Sequence, residues 1–124
     1  MSPRGHILVV DDNADLGENL IEILEDAGYR AQLFTDPLEA LGKVCPGQYA
    51  LALLDLRMPG LDGVELFRAL RRRDPTLLAV AMTAFAHDDR VREAVDEGML
   101  VVFTKPVEPS GLLGRLEGIL ATGA

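Results

Sequence analysis

The chain has 124 residues, 48% of them hydrophobic and 26% charged, which suits one packed domain and excludes a wholly disordered or collagen-like polymer. Twelve basic residues stand against twenty acidic ones, a formal net charge of −8, so general attraction to nucleic acid or anionic lipid is disfavoured. Cys45 is the only cysteine, so neither an intramolecular disulfide nor a cysteine-ligated metal cluster can form, in keeping with a reducing cytoplasm. Its expected role is that of a small, half-buried hydrophobe.

After Met1 to His6 comes the apolar run Ile7 to Val10, strand-sized and too short for a signal-peptide core or a membrane span. Leu16, Leu20, Ile23, Leu24 and Ala27 then recur at helical spacing and close at Gly28, a suitable residue just past a helix end. Arg30 to Phe34 is a weaker strand candidate. Asp36-Pro37-Leu38-Glu39 opens a second helix, with Asp36 as cap, Pro37 in the first turn and Glu39 placed to complete a capping box; it should run to about Cys45. Tyr49 to Leu54 reads as a third strand. Val64, Phe67 and Leu70 mark a third helix that ends in Arg71-Arg72-Arg73, read as a solvated helix end whose charge suits the dipole. Leu77 to Met82 is a fourth strand, and Val91, Ala94 and Val95 belong to a fourth helix closing at Gly98. Met99 to Phe103 is the fifth strand. Leu112, Leu116, Ile119 and Leu120 form the face of a fifth helix that Gly111, Gly114 and Gly118 weaken.

Near-continuous apolar strands alternating with helices, joined by short connections, predict an α/β fold: a doubly wound, five-stranded parallel sheet with five helices on its two faces and right-handed crossovers. In such sheets ligands bind beyond the carboxyl ends of the strands. There the first strand ends in Asp11-Asp12, the third in Asp55, the fourth in Thr83, and the fifth runs into Lys105. If those strands are neighbours, three carboxylates, a hydroxyl and an ammonium converge on one rim. Carboxylates ~5 Å apart repel by about 3 kcal/mol per pair at an effective dielectric near 20, so cations should sit among them. Lys105 supplies one charge, and a hard divalent ion such as Mg²⁺, which prefers oxygen ligands, could supply two more. A metal with open positions favours a phosphoryl group, and an aspartate already ionised at neutral pH could attack phosphorus without a general base.

Rival motifs fit less well. Residues 11–22 imitate a calcium loop, but Leu16 stands where the turn needs glycine and the preceding segment reads as a strand. A phosphatase of the haloacid-dehalogenase type needs a second Asp two residues after its nucleophile. Asn13 follows Asp11 and Ala14 follows Asp12 at that distance, so the proton donor is missing. No dinucleotide or P-loop glycine motif follows the first strand. His6 and His87 are lone histidines and read as surface groups.

Ile7-Leu8-Val9-Val10-Asp11-Asp12-Asn13, Leu54-Asp55-Leu56-Arg57-Met58-Pro59-Gly60-Leu61-Asp62-Gly63, Met82-Thr83-Ala84 and Lys105-Pro106 occur in an order and spacing that resemble the receiver domain of two-component response regulators. The resemblance spans essentially the whole chain, so residues 1–124 are expected to form a single receiver domain. It implies a flavodoxin-like sheet of strand order 2-1-3-4-5, as in chemotaxis regulators. It further implies that Asp55 is the phosphoacceptor, taking its phosphoryl group from a histidine kinase or histidine phosphotransfer protein. Asp12, Asp55 and the backbone carbonyl of Arg57 would bind Mg²⁺ directly, with Asp11 helping through water. Thr83 would be the switch hydroxyl, Lys105 the phosphoryl-pairing cation, and the Lys105-Pro106 peptide cis. Such a module catalyses only its own phosphorylation and slow dephosphorylation. The resemblance gives Pro59 and Gly63 structural roles in the loop and at the start of the third helix.

One position departs from the pattern. Three residues before the lysine the family usually carries Tyr or Phe, and here stands Val102; Phe103 is adjacent but should face the other side of the sheet. Val102, with the apolar Met99-Leu100-Val101, is expected to mark either a modified partner surface on the fourth helix, fifth strand and fifth helix, or extra core. An exposed apolar patch would favour the surface. A phosphorylation-independent interaction module of the same fold is the alternative function. Arg57 and Phe85, two positions beyond Asp55 and Thr83, are expected to shield the phosphoryl group. No output segment is expected after the fifth helix in a sequence that stops at Ala121-Thr122-Gly123-Ala124, so the module acts through a downstream protein partner or belongs to a longer polypeptide. A cytoplasmic location without membrane or direct nucleic-acid contact, and phosphorylation-dependent dimerisation, complete the expectations.

Overall fold

The computed structural model describes residues 5–85 and 87–121. Five strands, β1 (His6–Val10), β2 (Arg30–Phe34), β3 (Leu51–Asp55), β4 (Leu78–Thr83) and β5 (Val102–Thr104), alternate with five helices. These are α1 (Ala14–Asp26), α2 (Pro37–Lys43), α3 (Gly63–Arg73), α4 (Asp89–Asp96) and α5 (Pro109–Ala121). All strand pairs are parallel, in the order β2-β1-β3-β4-β5, as the resemblance implied.

The central strands are buried on both faces because successive side chains serve two separate cores. Leu8, Val10, Ala52 and Leu54 pack with Val64, Phe67 and Leu70 of α3 and Ala94 of α4. Ile7, Val9, Leu51, Leu53, Val80 and Met82 pack with Leu20 and Leu24 of α1 and Leu112 and Leu116 of α5. Alternation also divides β5 as expected: Val102 joins the α3–α4 side and Phe103 the α1–α5 side.

Local chemistry sets the helix ends. Asn13, Asp36, Asp62 and Asp88 cap α1 to α4 by accepting from backbone N–H groups. Gly28 and Gly98, at φ of +98° and +101°, close α1 and α4 in the left-handed conformation that glycine tolerates best.

Several expectations need correction. Glu39 does not complete a capping box but pairs with Lys43 one turn on; the box forms at α3, where Asp62 and Glu65 bond each other's backbone N–H. Helix α2 ends at Lys43, and Cys45 beyond it is exposed rather than half-buried. Strand β5 is shorter than its apolar run, because Met99 N–H still bonds Ala94 O in the closing turn of α4. Strand β3 starts at Leu51 rather than Tyr49, whose hydroxyl instead donates to Gln32 Oε1 at 2.6 Å. The arginines ending α3 are not all simply solvated: Arg71 lies 5.2 Å over the Phe67 ring and donates to Glu97 O, and Arg73 donates to Leu41 O. Leu16 and Val95, although helically spaced with core residues, are exposed. His6 is partly buried, its ring 4.5 Å from that of Tyr49, whereas His87 is exposed.

Candidate functional site

With β1 between β2 and β3, chain direction across the sheet reverses at β1, and the carboxyl ends of β1, β3, β4 and β5 lie side by side. Asp11 directly follows β1, and its N–H bonds Phe34 O at 3.1 Å, which carries the ladder one residue past the strand. Its buried side chain accepts from Asn13 N–H at 3.0 Å through Oδ1 and from Lys105 Nζ at 2.8 Å through Oδ2. Asp12 is exposed. Asp55 is the last residue of β3 and is buried; Oδ2 accepts from Lys105 Nζ at 2.9 Å and Oδ1 from Arg57 N–H at 3.1 Å. Lys105 follows β5, held by its own N–H to Thr83 O at 2.7 Å, and its peptide bond to Pro106 is cis.

One ammonium thus bridges two buried carboxylates that the sequence places 44 residues apart. One carboxylate oxygen from each of Asp11, Asp12 and Asp55 lies within 4.8 Å of the others. A hard-oxygen donor set of this kind fits Mg²⁺, and exposed Asp12 gives it a side open to solvent. Burial pushes the Asp55 carboxyl above its ordinary range and the neighbouring Asp11 charge adds to this, against opposing hydrogen bonds from Lys105 and Arg57 N–H. Burial pulls the Lys105 ammonium down, but its bonds to Asp11 and Asp55 outweigh that, so it remains protonated.

Gly63, at the start of α3, touches the peptide of Asp55. A Cβ there would lie 2.4 Å from Asp55 O and 3.0 Å from Leu56 Cα, so the sheet and helix approach this closely only with glycine. The structural role expected of Gly63 therefore has a specific cause.

Thr83, the last residue of β4, is buried, and its hydroxyl accepts from Phe85 N–H at 3.2 Å. Its oxygen is also 3.2 Å from Asp88 Oδ2 and 3.3 Å from Phe85 O; the single proton goes to the charged acceptor, the stronger bond. Asp88 was not singled out from the sequence, where it is one acid of an Asp88-Asp89 pair. Its side chain is only 1% exposed and accepts from Arg57 Nε at 2.8 Å, Arg57 Nη2 at 2.5 Å and Arg90 N–H at 2.9 Å. The bidentate Arg57 pair, with help from Arg90 N–H and Thr83, holds the Asp88 carboxyl down to about 2. An N-cap search ahead of α4 would have found Asp88; its partner 31 residues earlier had no local signal. Of the two residues expected to shield a phosphoryl group, Arg57 has its guanidinium engaged by Asp88, and Phe85 is 67% exposed.

The family model for the response regulator receiver domain matches residues 7–117. A response regulator receiver protein of Anaeromyxobacter sp. strain Fw109-5 is 43% identical over 100 residues, covering 81% of this chain and 42% of that protein. Sporulation initiation phosphotransferase F of Bacillus subtilis strain 168 is 32% identical over 102 residues, covering 82% of each chain. The crystal structure of a CheY-like receiver domain protein from Methanospirillum hungatei JF-1 superposes with a TM-score of 0.85 at 29% identity, covering 94% of both chains. The chain spans about half the length of several curated relatives it matches. With the matching region running from β1 into α5 and including every strand-end residue of the site, the chain belongs to the receiver domains of two-component response regulators.

Proposed function

We propose that residues 1–124 act as one phosphorylatable receiver domain in which Asp55 accepts a phosphoryl group in a Mg²⁺-dependent reaction. The observation that carries this reading is the Lys105 bridge between Asp11 and Asp55, beside an exposed third carboxylate and a buried hydroxyl on the next strand. Asp12, Asp55 and the Arg57 carbonyl would hold the ion, with Asp11 reaching it through water. Bound Mg²⁺ would offset charge on the transferring phosphoryl oxygens. Lys105 opposes the effect of burial on the Asp55 carboxyl, and its ammonium can pair with a phosphoryl oxygen. Asp55 forms an oxygen–phosphorus bond as the phosphorus–nitrogen bond of a phosphohistidine breaks and the imidazole leaves. Later attack by water at phosphorus restores the carboxylate and releases inorganic phosphate. The donor is a histidine kinase or histidine phosphotransfer protein; no external substrate is turned over.

The output is a protein partner bound through α4, β5 and α5. Of the apolar residues 99–102, Met99 is buried and Val101 and Val102 pack against the two cores, which is extra core, while Leu100 at 45% and Val95 on α4 at 57% exposure are the apolar side chains this face leaves to a partner. The same face suits a phosphorylation-dependent dimer. Among the described residues no helix is long and apolar enough to cross a membrane; we place the domain in the cytoplasm without direct nucleic-acid contact. A phosphorylation-independent interaction module is the second reading, favoured by Val102, which packs against the α3–α4 core where the family usually carries a switch aromatic.

Incubation with Mg²⁺ and a small phosphodonor, followed by borohydride reduction and peptide mass mapping, tests the assignment. Reduction of an acyl phosphate leaves homoserine at position 55. Modification at another residue, or none in a folded protein, would overturn it.

A further inference from the structure

Asp88 occupies a position no strand-end pattern selects, yet its two oxygens take four donors. Oδ2 accepts Arg57 Nε and the Thr83 hydroxyl, and Oδ1 accepts Arg57 Nη2 and the Arg90 N–H that begins α4. Arg57 lies two residues after Asp55, and Thr83 follows Met82, the β4 residue paired with Asp55. Two side-chain donors placed by the strand ends around Asp55, the Arg57 guanidinium and the Thr83 hydroxyl, are thus committed to a carboxylate that caps α4. A phosphoryl group on Asp55 would bring three acceptor oxygens and close to two negative charges to the same place. Thr83 has one hydroxyl proton and cannot serve both acceptors, and Asp88 and the phosphoryl group repel each other across it.

From this geometry we infer that Asp88 is a positioning residue of the switch: it holds the Thr83 hydroxyl and Arg57 guanidinium at the start of α4, and phosphorylation must take them from it. The inference rests on Asp55 being the phosphoacceptor. Asp88 therefore favours the unphosphorylated arrangement, and release of its donors frees the first turn of α4, the helix whose last turn carries the exposed Val95. The link between phosphoryl group and partner face runs through this carboxylate, independently of whether residue 102 is aromatic.

Asp88→Asn and Asp88→Ser test it, because both replacements remain good N-caps while removing the charge that holds Arg57. The probe is beryllofluoride with Mg²⁺, a phosphoryl mimic, titrated by calorimetry into the folded full chain. Both variants are expected to bind it roughly five- to tenfold more tightly than wild type, and the gain from Asp88→Asn should shrink markedly in an Arg57→Met background. A residue that only capped α4 would leave the affinity unchanged or lower it, and would show no such dependence on Arg57. Unchanged or weaker binding in both folded variants, or a full gain in the Arg57→Met background, would overturn the inference while leaving the phosphoacceptor assignment intact. No binding by folded wild type would overturn both, the phosphoacceptor assignment first.

Discussion

Replacing Lys105 with Met removes the ammonium between Asp11 and Asp55 while keeping most of the stem volume. Both carboxylates are buried, Lys105 is largely so, and the ammonium contacts them at 2.8 and 2.9 Å. Removing one partner of a buried ionic cluster leaves uncompensated charge and costs about 3–5 kcal/mol. That cost is largest where both carboxylates must stay ionised. Asp55 already titrates above its ordinary value because of burial, and loss of Lys105 raises it further. A carboxyl raised in the folded state makes stability fall as pH rises from its unfolded value through its folded one. In wild type this loss is offset by Lys105, whose own pKa is raised and whose contribution lasts until pH passes that value. Urea unfolding should therefore show Lys105→Met about 3 kcal/mol less stable than wild type at pH 8, with a smaller deficit at pH 4.5. Millimolar Mg²⁺ should restore part of the deficit at pH 8. A deficit equal at the two pH values would mean that only stem packing was lost, and no deficit would refute the bridge as a stabilising contact.

Gly63→Ala puts a Cβ 2.4 Å from Asp55 O, against backbone that cannot yield cheaply. It should cost about 2–3 kcal/mol in denaturant unfolding and also weaken phosphorylation; full stability would show that α3 can slide away from β3. Asp74 is buried and accepts from Gly47 N–H at 2.9 Å and from the Thr76 hydroxyl at 2.7 Å, bonds that hold its carboxyl below the ordinary value. Its contribution is present above the unfolded pKa and disappears as pH falls through the folded one. Asp74→Asn should thus cost about 1–2 kcal/mol at pH 7 and progressively less as pH falls below the ordinary carboxylate value; a pH-independent cost would contradict the charge-assisted bonds. If Arg57 and Phe85 shield the phosphoryl group once Asp88 has released Arg57, the wild-type acyl phosphate is long-lived. Arg57→Ala and Phe85→Ala should each speed its decay, and unchanged decay of trapped phosphoprotein in both would remove the shield.

The site was legible where chemistry follows directly on a strand. Asp11, Asp55, Thr83 and Lys105 each sit at the end of an apolar run, so strand neighbourhood alone brings them together. The pairing of Arg57 with Asp88 was not, because it joins two loops across 31 residues and neither residue breaks a local pattern. Helical spacing also misplaced Leu16 and Val95, since spacing identifies a face but not how far the neighbouring element extends to cover it. The apolar stretch before β5 misled for a similar reason: Met99 is buried by the turn that closes α4, not by strand pairing. Conversely, the Asp62-x-x-Glu65 box is readable by pattern, lying just ahead of Val64, where the apolar spacing of the third helix starts.

The most direct test of the phosphoacceptor site is intact-protein mass after incubation with Mg²⁺ and a small phosphodonor, for wild type, for Asp55→Asn, and for wild type with EDTA. The account predicts a gain of one phosphoryl group in wild type alone. A gain that survives Asp55→Asn or chelation, or no gain in folded wild type, would contradict it.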